Sequence, residues 1–332
     1  MDAQKELLSI ENLQVAIRSG GSEVYAVNTI DLKIPPHSVV GLVGESGCGK
    51  SMTAMSIMGL LAPGITISGG RILFEGREIS ACTPAEMRQI VGKDISMIFQ
   101  EPMTALNPVV RVGRQVEEVL ELHTDLKKAE RKQRVIDIFK AVNIPDAEER
   151  YKAYPFQLSG GLRQRICIAM AMICNPKLLI ADEPTTALDV TIEAQILKLM
   201  RDLKKNFDTS ILMITHNLGI VSELCDDVNV MYLGEIVEHT VTSEIFKQPL
   251  HPYTRGLIGS VPEIRPDVQK LENIPGMVPD LMHVPQGCRF CDRCKYATER
   301  CRQEHPALYE PLPGHEVRCF RYENGMEVNA DE

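Results

Sequence analysis

No stretch of the chain approaches the ~18 uninterrupted apolar residues that a bilayer span requires, so any role at a membrane is expected to be peripheral. Residues 1–14 interleave charged and apolar side chains and leave no apolar core for a secretory signal. Positive charge is not in excess: 36 basic against 45 acidic residues give a formal net charge of -9 and a pI near 5.5. Binding to nucleic acid at large needs clustered Lys and Arg; the one basic run, at 127–134, is interrupted by Glu130 and reads as a solvated helix face. Internal repeats and low-complexity segments are missing too. Ten cysteines are present, but Cys48, Cys82, Cys167, Cys174 and Cys225 are scattered without a pairing pattern, which argues against a disulfide framework and for small, reduced, buried side chains.

At 332 residues, with 44% hydrophobic and 24% charged, the chain is large enough for a full-sized domain and a smaller one. Four short apolar runs without polar alternation, 38–43, 95–99, 178–181 and 210–214, read as strands buried on both faces. With helical stretches separating them, they predict a parallel α/β sheet. Upstream, 8–17 and 27–34 alternate apolar and polar residues, as at Ile30, Leu32 and Ile34, which predicts an antiparallel β layer with one wet face. Helical periodicity at 112–123 and 129–142 predicts an inserted helical subdomain over about 102–175. After about Glu238, prolines such as Pro249, Pro252, Pro262, Pro266 and Pro275 punctuate a stretch of little periodicity. A first domain of 1–245 and a loop-rich second one of 246–332 follow.

Directly after the run at 38–43 stands Gly44-Glu45-Ser46-Gly47-Cys48-Gly49-Lys50-Ser51, which meets the G-x4-G-K-S pattern of a phosphate-binding loop at every required position, with a strand before it and a helix after it. Glycines let backbone N–H groups curl around the β- and γ-phosphates, the helix opening near Lys50 presents its positive end, Lys50 adds charge, and the Ser51 hydroxyl reaches Mg²⁺. Met52 follows in the same nucleotide-binding run. A second motif, Leu178-Leu179-Ile180-Ala181-Asp182-Glu183-Pro184, ends an apolar strand in two adjacent acids whose side chains turn in different directions. Asp182 suits a metal held through its water shell, and Glu183 suits a general base for the water that attacks a γ-phosphate.

Between these motifs, Leu158-Ser159-Gly160-Gly161-Leu162-Arg163-Gln164-Arg165 resembles the LSGGQ signature of the ABC transporter ATPases. The rest of that family's set stands in its order: Gln100 in Ile98-Phe99-Gln100-Glu101-Pro102, then Ala187-Leu188-Asp189, then His216 in Ile214-Thr215-His216. The resemblance covers about residues 6–245 and implies the ABC form of the P-loop NTPase fold, with a RecA-like parallel core, an antiparallel β layer and a helical subdomain. It implies that Gln100 senses the γ-phosphate and Mg²⁺, that His216 clamps the γ-phosphate and that Asp189 crosses a dimer interface. By the same likeness Ser159, Gly160 and Gly161 cap ATP bound on the partner, so two ATPs are sandwiched between two such subunits. Tyr25 stands where the family often stacks an aromatic ring on adenine, although Tyr is also a common strand residue. Leu162 replaces the signature's glutamine; the Ser-Gly-Gly core remains, and hydrolysis at the composite site is expected to survive.

On the C-terminal side, His251-Pro252-Tyr253-Thr254-Arg255-Gly256-Leu257, the segment Pro275-Gly276-Met277-Val278-Pro279 and the terminal cysteines resemble the dipeptide and oligopeptide importer branch, to about residue 320. That likeness implies a second, homologous ATPase subunit in a heterodimer, a homodimer being possible in isolation. It also implies two transmembrane permease subunits, an extracytoplasmic peptide-binding protein acting through them, and a peripheral location at the cytoplasmic face of the cell membrane. In the family, the region at 101–119 forms the groove for the permease's coupling helix. The branch also includes importers of nickel chelates, glutathione and some sugars, and the sequence does not choose among these cargoes. A soluble, non-transport ABC ATPase usually carries two cassettes or a long coiled coil, neither of which is here. A non-catalytic partner would lack Glu183 or His216, and both are present.

The remaining cysteines crowd together as Cys288, Cys291, Cys294, Cys301 and Cys319. Cys288, Cys294, Cys301 and Cys319, with gaps of five, six and seventeen residues, resemble the pattern by which several importers of this branch bind a [4Fe-4S] cluster. A purely local reading takes Cys288, Cys291, Cys294 and Cys301 as a ferredoxin-like run instead. The family pattern is preferred, with Cys291 an uncoordinated neighbour. Zn²⁺ on four thiolates is the chemical alternative, and disulfides come third. Either metal would staple a segment too poor in apolar residues to fold unaided, in a structural rather than an electron-carrying role.

Overall fold

The structure, a computed structural model, describes residues 6–19, 22–101, 105–186, 189–260 and 274–325. Expectations that touch Pro102, Ala187, Leu188, Pro262 and Pro266 lie outside the described residues. In chain order the elements are β1 (Leu8–Ser19), β2 (Ser22–Ile34), β3 (Val39–Val43), α1 (Lys50–Met58), β4 (Ile65–Phe74), β5 (Arg77–Glu78), α2 (Pro84–Ile90) and β6 (Ile95–Ile98). Then come α3 (Val112–His123), α4 (Lys128–Ala141), α5 (Ala147–Arg150), α6 (Gly160–Met172), β7 (Leu178–Asp182), α7 (Val190–Asn206), β8 (Ser210–Thr215), α8 (Leu218–Leu224) and β9 (Asp227–Tyr232). The last are β10 (Glu235–Val241), α9 (Thr242–Lys247), α10 (Pro252–Gly259), α11 (Glu299–Gln303), β11 (Tyr309–Leu312) and β12 (His315–Val317).

Two compact units are formed. Of the described residues, one comprises 6–7, 35–38 and those within 81–213; the other comprises those within 8–34, 39–80 and 214–325. In the second unit, β2, β1, β4 and β5 make an antiparallel sheet in that order. Alternation is visible in β2, where Ile30, Leu32 and Ile34 are buried and Asp31 and Lys33 face outward. The same unit aligns β3 parallel to β9, and β10 antiparallel to both β9 and β12. All five residues of β3 are buried, as an apolar run covered on both faces requires.

In the first unit, β6 and β7 pair in parallel from Ile95–Leu178 to Ile98–Ala181. Every residue of both strands is buried. The helices that follow β6 carry the periodic stripe expected of them: Val112, Val116 and Leu120 of α3 are buried at i, i+4 and i+8. One acid interrupts that stripe. Glu117 is buried and satisfied by the Tyr151 hydroxyl, donating at 2.6 Å, and by Arg131 at 3.4 Å. Burial and this carboxylate together push the Tyr151 hydroxyl up to about 12.

The stretch after residue 245 is richer in short elements than its prolines predict. Capping rather than periodicity makes them: the Nδ1 of His251 accepts the Tyr253 N–H at 3.1 Å and Pro252 opens α10 at its first turn, while Thr298 caps α11. Burial drops His251 to about 3, with Arg318 adding to the effect, so the ring is neutral and its Nδ1 lone pair is available for the cap. The hairpin β11–β12 is added to β10 at Glu238–Val317 and His239–Glu316. Leu250, Val317 and Tyr322 form the small core beneath it.

Glu238 is 0% exposed and ties this region together: its carboxylate accepts the Leu250 N–H at 2.7 Å, the His251 N–H at 2.8 Å and the His315 Nε2 proton at 2.8 Å. Removing it strands buried donors. Glu238→Ala is expected to cost about 3–5 kcal/mol, read as a fall in the thermal midpoint of the full chain, with Glu238→Gln losing less; an unchanged midpoint would refute the anchoring role.

Candidate functional site

The phosphate loop is assembled in the second unit, between β3 and α1. Lys50, only 5% exposed, folds back so that its Nζ donates to the Gly44 carbonyl at 2.7 Å and the Glu45 carbonyl at 2.9 Å. The Cys48 carbonyl accepts the Gly234 N–H at 2.8 Å, which pins the loop to the turn between β9 and β10. Two glycines are required by space. A Cβ on Gly44 would run into the Met231 carbonyl, and one on Gly49, at φ +109°, would lie 2.5 Å from the Ala26 carbonyl oxygen. Ser46, Gly47 and Ser51 are exposed and Met52 is half-buried, so the loop's outer rim and the start of α1 are open to an anion.

Also in this unit, Tyr25 on β2 is partly exposed, and His216 is exposed in the loop between β8 and α8. Asn217 fixes the start of α8 by accepting the Gly219 N–H at 2.9 Å.

The acidic motif lies in the first unit. Asp182 ends β7 and is 3% exposed. The next residue, Glu183, has φ +45°, a left-handed conformation unusual for a side chain of its size. Its Oε2 accepts from the Gln100 side-chain amide at 2.9 Å and from the Thr186 hydroxyl at 2.8 Å. Two residues 83 positions apart, singled out from separate motifs, thus meet.

The signature segment is fastened to the same place. Ser159 caps α6, its Oγ accepting the Leu162 N–H at 3.4 Å, and Ser159 and Gly160 are exposed at the helix start. Substitution of the signature's glutamine by Leu162 leaves this cap intact, because the cap uses the backbone of residue 162. Gln164, buried one turn further on, donates to the Pro184 carbonyl at 2.6 Å and so links α6 to the residue after Glu183. Gln164 lies inside the signature-like run but carries no motif role in the sequence; its burial sets it apart. Asp189 caps α7, accepting the Ile192 N–H at 2.9 Å.

The five terminal cysteines, in the second unit, line one cavity of about 250 Å³. The Cys288 N–H donates to the Cys301 carbonyl at 2.7 Å and closes the segment. Burial pushes the Cys288 thiol up to about 12 and the Cys319 thiol up to about 11, and raises that of Cys294. Each of these three sulfurs accepts the backbone N–H two residues on, from Phe290, Arg321 and Tyr296 respectively. Cys291 differs. Its sulfur lies 3.6 Å from Asp292 Oδ1, to which its S–H donates, and burial followed by that carboxylate raises its thiol. Among the described residues, no three His, Cys, Asp or Glu side chains converge closely enough to hold a single metal ion.

Comparison with known proteins agrees with the motifs. A family model described as ABC transporter matches residues 27–186, and one described as oligopeptide/dipeptide transporter, C-terminal region, matches residues 237–301. The chain is 49% identical over 318 residues to the oligopeptide transport ATP-binding protein AppD of Bacillus subtilis, covering 96% of this chain and 97% of that one. It is 46% identical over 315 residues to the oligopeptide transport ATP-binding protein OppD of Escherichia coli, covering 95% and 93%. Among solved structures it is similar in fold to a dimeric ATP-binding cassette in a post-hydrolysis state bound to ADP and Pi, with a TM-score of 0.64 at 24% identity over 71% of this chain and 98% of that one. It is similar also to cbiO1 from Clostridium perfringens, part of an ABC transporter complex, with a TM-score of 0.62 at 28% identity over 74% and 92%.

The crowding at Gly49 yields a direct test of the loop. Gly49→Ala is expected to weaken binding of a fluorescent ATP analogue by at least about 100-fold, or ~2.7 kcal/mol; unchanged affinity would mean that a nucleotide is bound elsewhere.

Proposed function

Since the chain belongs to the ABC transporter ATP-binding proteins, in the oligopeptide and dipeptide branch, we propose that it binds and hydrolyses ATP to drive import of di- and oligopeptides. The observation that carries this reading is the 2.9 Å hydrogen bond between Gln100 and Glu183, in a chain whose phosphate loop is built around Lys50. In this reading residues 1–245 are the ATPase domain, with a helical subdomain over about 102–175, and residues 246–332 are the importer-type C-terminal domain.

The N–H groups of residues 46–51 and the Lys50 ammonium hold the β- and γ-phosphates, and Tyr25 stacks on adenine. Ser51, Gln100 and Asp182 are the side chains that would hold Mg²⁺, which when bound offsets phosphate charge. Glu183 takes a proton from water, the water oxygen bonds to the γ-phosphorus, and the bond to the β,γ-bridging oxygen breaks, releasing ADP and phosphate. The strained Glu183 backbone and its two fixed donors support that role, since they orient the carboxylate in advance. His216 and Gln100 hold the γ-phosphate. Ser159 and Gly160, exposed, and Gly161, half-buried, at the start of a 13-residue helix suit contact with ATP on a partner subunit, and Asp189 belongs to the same interface.

The partners that fit are a second, homologous ATPase subunit and two membrane permeases, the latter served by an extracytoplasmic peptide-binding protein. No helix of the described residues is long and apolar enough to cross a membrane, and a place at the cytoplasmic face follows from the partners. A cleft of about 310 Å³ lined by Val110, Val119, Leu122 and Met170 supports docking of a permease helix at 101–119. Gln115 braces its loop, accepting the Asn107 N–H at 2.9 Å and donating to the Asn107 and Val110 carbonyls.

The cysteine cavity fits a [4Fe-4S] cluster on Cys288, Cys294, Cys301 and Cys319 better than one Zn²⁺. A cavity of this size, lined by all five cysteines, suits a group larger than a single ion. Cys291, engaged with Asp292, is left out. When bound, such a cluster supplies four metal–thiolate bonds that cross-link the loop-rich segment.

Two measurements test these assignments. Glu183→Gln is expected to keep ATP binding while losing turnover by about 10²–10⁴-fold, read by hydrolysis in the assembled transporter; full turnover removes Glu183 as the base. Anaerobically purified protein is expected to carry about four irons per chain, retained in Cys291→Ser and lost in Cys288→Ser; one zinc and no iron would replace the cluster with a zinc staple.

A further inference from the structure

Arg293 lies between Cys291 and Cys294 in sequence, yet its side chain is directed at the phosphate loop. Its Nη1 donates to Glu45 Oε2 at 2.6 Å and its Nη2 to Glu45 Oε1 at 3.0 Å, a bidentate pair across 248 positions of sequence. The Nε donates to the Pro275 carbonyl at 2.9 Å, and the guanidinium lies 5.8 Å and 6.0 Å from the ring centroids of Tyr232 and Phe290. The Arg293 side chain is 5% exposed and that of Glu45 is 29% exposed. A planar fork in this setting is fixed in one pose, which a lysine could not reproduce.

The backbone of Glu45 is held from the same side. Its N–H donates to the hydroxyl of buried Tyr253 at 2.8 Å. Tyr232, Tyr253 and Phe290 pack ring against ring with centroids 4.7 to 5.4 Å apart, so both contacts rise from one aromatic block. Glu45 itself is an electrostatic problem: it puts a negative charge in a loop that, on the reading above, receives a triphosphate. An arginine bound to both carboxylate oxygens cancels that charge and fixes the residue whose carbonyl, with that of Gly44, accepts from Lys50.

We propose that Arg293 is a positioning residue for nucleotide binding: by clamping and neutralising Glu45 it holds the entry of the phosphate loop in the shape that accepts a triphosphate, making ATP affinity depend on the cysteine-bearing segment. This rests on the assignment of Gly44–Ser51 as the ATP-binding loop. Arg293 acts through Glu45 and not by touching phosphate.

The test is a double-mutant cycle in the full chain, read by titration with a fluorescent ATP analogue, with iron and zinc analysed in each preparation. Arg293→Ala is expected to weaken binding about ten-fold, or ~1.4 kcal/mol, and Arg293→Lys about three-fold. In a Glu45→Gln background, where there is no charge left to neutralise, Arg293→Ala should add less than about two-fold. The charge exchange Glu45→Arg with Arg293→Glu should regain part of the affinity lost in Arg293→Ala. Undiminished binding in Arg293→Ala, or the same loss in the Glu45→Gln background, overturns the proposal. If Arg293→Ala does not fold, Arg293→Lys completes the same cycle. Lys50→Ala separates the clamp from the ATP site: normal binding in that variant sinks the ATP-site assignment itself, whereas lost binding there with neutral Arg293 variants sinks only the clamp.

Discussion

The ammonium of Lys50, buried and held by the carbonyls of Gly44 and Glu45, is the contact around which the phosphate loop is organised. A loop meant to meet an anion has to leave backbone N–H groups pointing outward, and nothing in such a loop holds it in shape by itself. Support therefore comes from behind. Met231 and Ala26 fill the space against which Gly44 and Gly49 rest, and the Gly234 N–H takes the Cys48 carbonyl. Glycine is needed at these positions because the backing is backbone, which cannot move aside for a Cβ.

Much of the region after residue 245 can be understood as further backing. Glu238, fully buried, fixes the chain at Leu250 and His251; neutral His251 caps α10; and α10 carries Tyr253, whose hydroxyl accepts the Glu45 N–H. The cysteine segment adds Arg293 on the Glu45 carboxylate. With few apolar residues of its own, that segment relies on buried ion pairs and aromatic packing for its order.

The acidic half of the machinery shows another device. Glu183 is held in a costly backbone conformation, and Gln100, Thr186 and the Gln164 bond to Pro184 hold it there. Strain of this kind persists where the surroundings over-determine it, and it serves to aim one carboxylate. The Ser-Gly-Gly segment keeps its cap despite Leu162, because the cap requires only a backbone N–H at that position.

The sequence by itself determined the elements whose physics is local. Buried apolar runs declared β3, β6, β7 and β8, alternation declared β2, a stripe at i, i+4 and i+8 declared α3, and glycine spacing declared the phosphate loop. It also grouped the terminal cysteines, and family resemblance favoured one of two ligand sets, but spacing says nothing of where a sulfur points. That Cys291 turns its S–H to Asp292, and that the Cys301 sulfur lies 3.3 Å from the Thr298 hydroxyl, only the tertiary structure reveals. Likewise Glu45 read only as one member of a loop motif, and Arg293 as a residue between cysteines. An ion pair closed across 248 positions leaves no period and no spacing in the chain, because its partners are brought together by the packing of elements that are themselves only locally encoded.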